Sequence, residues 1–108
     1  MVYEIEIYET STGKKPFDQW FKTLKDVKAK SLIVSRLDRI KLGNFGDVTP
    51  VGDGIHELRF HFGPGYRIYY AKIETQIILL MCGGAKKTQQ KDIEKAKQHL
   101  KDFILKGN

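Results

Sequence analysis

Apolar and polar residues alternate from the start of the chain. Tyr3, Ile5 and Ile7 are separated by Glu4 and Glu6, the period-2 pattern of a strand with one wet face. The period then changes. Phe17, Trp20, Phe21 and Leu24 recur at i, i+3, i+4 and i+7, with Pro16 where a first helical turn accepts it and Asp18 in that turn. This predicts a helix running to about Asp26. Ile33, Val34, Leu37 and Ile40 repeat the helical stripe up to Gly43-Asn44, so a second helix is expected to fold back on the first as a hairpin. Residues 44–54 hold four Gly or Pro and two Asp and read as a loop.

Alternation returns in IHELRFHFGPGYRIYYAKI. Leu58, Phe60 and Phe62 interleave with Glu57, Arg59 and His61; after Gly63-Pro64-Gly65, Tyr66, Ile68 and Tyr70 interleave with Arg67 and Tyr69. The pattern predicts a β-hairpin in which Phe62 pairs with Tyr66, Phe60 with Ile68 and Leu58 with Tyr70. On the opposite, wet face His61 would meet Arg67 and Arg59 would meet Tyr69, with Glu57 one step further. Ile77 to Cys82 is apolar without alternation, as expected of a strand covered on both faces. Gly83-Gly84 ends it. Ile93, Ala96, Leu100 and Phe103 then mark a final amphipathic helix with Thr88 as a candidate cap. The expected fold is a single α+β domain spanning residues 1–108, with an antiparallel sheet backed by helices in the order βααβββα.

Composition narrows the class. The 108 residues carry 41% hydrophobic and 30% charged side chains, enough apolar material for one core and too much for a disordered chain. The longest apolar run is six residues, where a membrane helix needs about 20. The N-terminus has neither the basic start nor the apolar stretch of a secretory signal, so a cytoplasmic location is expected. Cys82 is the only cysteine; it admits no intramolecular disulfide or cysteine-based zinc cage and reads as a small buried hydrophobe. The net charge of +6 resides in residues 14–43 and 86–108, both helical by pattern. Basic faces of this kind attract polyanions, including nucleic acid.

No nucleotide-binding glycine fingerprint, P-loop or zincin helix is present. His56 and His61 should point to opposite faces of one strand, His56 toward the core, and His99 is expected on an exposed helix, so no metal site is expected. What remains is Arg59, Arg67, His61, Tyr69 and Glu57, with Lys86 and Lys87 near the sheet end. Guanidinium and ammonium groups bind phosphate and can neutralise the charge that develops when a 2′-hydroxyl attacks the adjacent phosphorus. His61 could accept or donate a proton near neutrality, Glu57 could act as a base, and Tyr69 as a base or a stacking platform. Ordinary cross-strand ion pairs would use the same residues.

ELRFHFGPGYRIYY followed by IILLMCGGAKKTQQKDIEKAKQ resembles the RelE/ParE superfamily of toxins from bacterial toxin–antitoxin modules, and within it the HigB-like branch of addiction module killer proteins. The resemblance rests on the combination of E-L-R, G-Y-R-I-Y-Y and G-G-x-K and extends over nearly the whole chain. It implies a curved antiparallel sheet with a helical hairpin on one side and a short terminal helix. It also implies cofactor-free, metal-independent, ribosome-dependent mRNA cleavage, with a HigA-like helix-turn-helix antitoxin as partner. Arg67 falls on a catalytic arginine position, Arg59 and Glu57 near the strand lysines, and Lys86 or Lys87 near a second catalytic arginine. Ala85 stands where related toxins often carry an acidic residue after the two glycines, and Ile93 where a catalytic tyrosine lies near the terminal helix. Two other functions remain open: a ParE-like non-nuclease that poisons DNA gyrase, and a binding module that has kept the fold and lost the chemistry.

Overall fold

The computed structural model describes residues 3–107. Its elements are β1 (Glu4–Ile7), α1 (Pro16–Thr23), α2 (Val27–Lys41), β2 (Val48–Gly52), β3 (Ile55–Arg59), β4 (Tyr66–Ile73), β5 (Ile77–Ala85), a 3-10 turn at Lys86–Thr88 and α3 (Gln89–Leu105). The strands form one sheet in the order β1-β5-β4-β3-β2. The α+β class holds, but three details differ from expectation. A strand, β2, forms within the segment read as loop; Pro50 is tolerated because β2 is an edge. β1 runs parallel to β5, so the sheet is mixed. The terminal helix, 17 residues long, is not short.

The helical hairpin is built locally. Asp26 caps α2, its Oδ1 accepting from the backbone N–H of Lys28 at 3.0 Å and Ala29 at 3.3 Å, which satisfies donors the helix itself leaves open. The first helix therefore stops at Thr23. Phe17, Leu24, Ile33 and Ile40 pack with Leu58, Phe60, Ile68, Tyr70, Ile78 and Leu80 on one sheet face. Val34 belongs to the predicted stripe but is 47% exposed, because the buried seam of α2 follows Ala29, Ile33 and Ile40.

α3 covers the other face. Ile93, Ala96 and Leu100 pack against Ile55, Tyr69, Ala71, Leu79, Met81 and Cys82. The unalternating apolar run of β5 is thus buried on both sides, as its sequence indicated. A bulge helps: Tyr69 pairs with Cys82 and Tyr70 with Leu80, so Met81 is the extra residue and both Met81 and Cys82 join the α3 core.

The β3–β4 hairpin forms, two residues out of the expected register. Arg59 pairs with Arg67, Leu58 with Ile68 and Glu57 with Tyr69, while Phe60 N–H donates to Tyr66 O at 3.0 Å. Phe62 does not pair across the loop; its ring packs edge-on against Phe60 and Tyr66, with centroids 5.7 Å away in each case. The longer turn is closed by Gly65 N–H donating to Phe62 O at 3.1 Å, with Gly63 and Gly65 both at positive φ, a conformation glycine adopts without strain. An even shift leaves every side chain on its expected face.

Candidate functional site

The β3–β4 register and the neighbouring strands set out two rows of side chains on the α3 face. Arg59 lies opposite Arg67, which lies opposite Gly84 on β5; Arg59 N–H donates to Asp47 O at 3.0 Å, which places Asp47 at the other end of that row. The second row runs Thr49, Glu57, Tyr69 and Cys82. α3 begins directly over it. The Gln89 side-chain amide donates to Glu57 Oε2 at 2.8 Å, and Tyr69 Oη donates to the same oxygen at 3.1 Å. Glu57 is 2% exposed and Tyr69 is fully buried.

The face expected to be wet is therefore roofed by α3 over this row. Tyr69 offers neither a stacking surface nor a reachable base; burial, reinforced by the Glu57 carboxylate, pushes its phenol up from the ordinary value of 10.0. Nor does Glu57 face solvent. Arg67 is 12% exposed, with Nε 3.6 Å from Glu57 Oε2 and Nη1 donating to Gly65 O at 2.7 Å.

The Arg59 row is more open. The Arg59 side chain is 37% exposed, and its Nη2 donates to Thr49 Oγ1 at 2.9 Å and Asp47 Oδ1 at 3.2 Å. Asp47 Oδ2 lies 2.5 Å from Nε2 of His61, a side chain 77% exposed. The His61 hydrogen bond, helped by Arg59, holds the Asp47 carboxyl below its ordinary range. Arg36 of α2 fastens this corner from the other side, donating to Asp47 O at 2.8 Å, Phe45 O at 3.3 Å and Arg59 O, with its guanidinium over the Phe60 ring. Lys86 and Lys87 are both exposed, and Lys86 N–H donates to Gly65 O at 3.0 Å, so the 3-10 turn abuts the β3–β4 loop that carries His61.

Arg59, Arg67, Glu57 and Tyr69 thus share one face as expected, but in two layers, with His61 at the rim. Asp47, Thr49, Gln89 and Arg36 had no part in the sequence reading. Asp47 and Thr49 occupy alternate positions beside Val48 and Val51, a strand pattern interrupted by Gly46, Pro50 and Gly52. His56 stacks on Tyr70 at 5.2 Å, and burial lowers its pKa from 6.5. His99 is half-buried against Tyr8, with centroids 5.0 Å apart, rather than exposed. Cys82 is buried; its thiol, pushed up to about 12 by burial, donates to Asp92 O at 3.7 Å. Among the described residues no three of His, Cys, Asp and Glu converge as a metal-holding group, and no helix is long and apolar enough to cross a membrane.

These features define a small basic α+β domain whose polar groups gather at one end of a sheet faced by helices on both sides. The chain belongs to the phage-derived Gp49-like family, a family of toxin-like proteins, whose profile matches residues 19–101. It is similar to an uncharacterized protein of Haemophilus influenzae, with 48% identity over 81 residues, covering 75% of this chain and 82% of that protein. The match corrects the resemblance drawn from sequence: the Gp49-like family is distinct from RelE/ParE, and membership of the HigB-like branch does not hold. The structure explains why the short motifs misled. A Cβ on Gly83 would enter the Trp20 ring, and one on Gly84 would meet the Asp92 carboxylate, with Cγ at 2.8 Å. The two glycines answer to packing, a demand that different families can share.

Proposed function

We propose that this toxin-like chain cleaves RNA, acting in the cytoplasm as a metal-independent endonuclease on mRNA held by the ribosome and so stopping translation. The observation that carries the reading is the direct opposition of Arg59 and Arg67. Like charges placed across a strand pair repel, and the Arg59 side chain keeps 37% of its surface exposed. A phosphodiester laid against the exposed part of the pair offsets that repulsion and meets the donor geometry that guanidinium presents to phosphate.

In the proposed reaction the 2′-hydroxyl gives its proton to His61 and its oxygen attacks the adjacent phosphorus. The O2′–P bond forms and the P–O5′ bond breaks, leaving a 2′,3′-cyclic phosphate and, after proton uptake from water, a 5′-hydroxyl. Arg59 and Arg67 stabilise the charge on the phosphoryl oxygens. Glu57 and Tyr69, beneath them, hold Arg67 in place, and Lys86 and Lys87 bind flanking phosphates. The cluster lies on a rim, and neither of two surface grooves, one between α1 and α3 and one beside the β2–β3 turn, includes it. An open rim flanked by basic helices suits a ribosomal substrate docked through its phosphates. A toxin of this activity needs a neutralising antitoxin, and a DNA-binding helix-turn-helix protein is the partner we propose.

A second reading, a non-catalytic binder such as a gyrase poison, draws on the Arg67–Glu57 ion pair, which leaves little of Arg67 free. Primer extension on a reporter mRNA after induced expression separates the two. The wild type should give discrete cleavage ends, and Arg59→Ala or Arg67→Ala should reduce them by about 10²-fold or more. Undiminished cleavage in both variants refutes the assignment. Inhibition of purified gyrase without mRNA cleavage supports the binder.

A further inference from the structure

Asp47 stands where the basic side chains of the rim meet. Its carboxylate touches His61 through Oδ2 and Arg59 through Oδ1, and its own carbonyl accepts from Arg59 N–H and Arg36 Nη2. Gly46 precedes it at a φ of 71°, a turn that brings Asp47 alongside Arg59 before β2 begins. The backbone is thus pinned from two directions, and the side chain is committed to two partners.

We propose that Asp47 is the positioning residue of this site, holding His61 by one carboxylate oxygen so that ring Nδ1 faces outward as the proton acceptor, and holding Arg59 by the other. This inference rests on the RNA-cleaving reading above and assigns a role to a residue that reading does not use.

The chemistry follows from the donor inventory. An ionised carboxylate only accepts hydrogen bonds, so the ring nitrogen beside it must carry hydrogen. Neutral His61 then presents an unprotonated Nδ1, with most of the ring in solvent. The 2′-hydroxyl proton passes to that nitrogen as O2′ bonds to phosphorus, and the departing O5′ takes a proton from water. Without its carboxylate partner, an imidazole this exposed samples several rotamers and both tautomers, and only a fraction of them are productive. Arg59 gains similarly: Nη2 of its planar group donates to both Asp47 Oδ1 and Thr49 Oγ1, which fixes the orientation of the guanidinium.

Single-turnover cleavage of mRNA on programmed ribosomes tests this, using the full chain, Asp47→Asn, His61→Ala and the double variant, with ribosome binding measured in parallel. Asp47→Asn should slow cleavage about tenfold or more, less than the roughly 10²–10⁴-fold that a general base itself contributes, while ribosome affinity stays unchanged. In the His61→Ala background the same substitution should cost several-fold less, the remainder arising through Arg59. Added imidazole should restore part of the activity of His61→Ala and much less of that of the double variant, a readout that loss of folding alone would not give. Asp47→Asn cleaving like the wild type overturns the proposal, as does an equal cost in both backgrounds or equal imidazole rescue. Failure of the wild type to cleave at all refutes the nuclease reading itself, and this inference with it.

Discussion

Replacing Glu57 with Ala removes a carboxylate that is 2% exposed and takes hydrogen bonds from Tyr69 Oη at 3.1 Å and Gln89 Nε2 at 2.8 Å while lying 3.6 Å from Arg67 Nε. Arg67, itself 12% exposed, would keep its charge and lose its counter-ion. Breaking buried ion pairs from one side costs about 3–5 kcal/mol; the 3.6 Å separation and the residual exposure of Arg67 place this pair at the lower end. The Tyr69 hydroxyl, fully buried, adds about 1 kcal/mol as an unsatisfied donor, whereas half-buried Gln89 can turn to water. The expected loss is about 4 kcal/mol, a fall in Tm of about 15 °C or more in a domain of this size. Urea and thermal unfolding followed by circular dichroism measure it. Glu57→Gln, which keeps the shape and one acceptor, should cost about half as much. Arg67→Met should cost much less in the Glu57→Ala background than alone, since the stranded charge leaves with it. A loss below about 1 kcal/mol for Glu57→Ala, or full additivity with Arg67→Met, would show that the buried carboxylate does not hold the arginine.

Gly84→Ala should destabilise the fold by about 2 kcal/mol or more, combining overpacking with a lost hydrogen bond: the new methyl displaces the Asp92 carboxylate, whose Oδ2 accepts from Thr88 Oγ1 at 2.6 Å. Chemical denaturation checks this, and an unchanged midpoint would contradict the packing account of the Gly-Gly pair. The depressed Asp47 carboxyl sets a pH dependence. A group whose pKa is lowered by folding stabilises the native state above its unfolded value, and that contribution is lost as pH falls through the folded one. Between Asp47's ordinary value of 3.8 and its lower folded value, where His61 and Arg59 face it, the wild type should lose Tm more steeply than Asp47→Asn. Parallel acid limbs would refute the coupling.

The toxin-like family and the RNA-cleaving proposal meet at the question of reach. Arg59 and Arg67, expected on one face, pair directly across β3 and β4, yet each already has a carboxylate neighbour, Asp47 for Arg59 and Glu57 for Arg67. Those neighbours differ in kind. Glu57 is sealed beneath Gln89 and sustains structure, whereas Asp47 sits at the rim beside an exposed histidine. The site's accessible chemistry therefore lies toward β2 and the β3–β4 loop.

The sequence by itself determined which face each side chain takes. Strand parity survives the two-residue register shift in the hairpin, so Arg59, Arg67, Glu57 and Tyr69 could be grouped correctly from alternation alone, and the unbroken apolar run of β5 announced a second covered face. The tertiary structure alone decided what covered that face and how far. Polar alternation is the same whether the outward row meets water or a helix terminus that satisfies it, and Gln89 lies 32 residues from the Glu57 it caps. Asp47 and Arg36 became visible only once β2 closed the sheet edge, because a single carboxylate gathering charges from β3, the β3–β4 loop and α2 leaves no periodic trace in the chain.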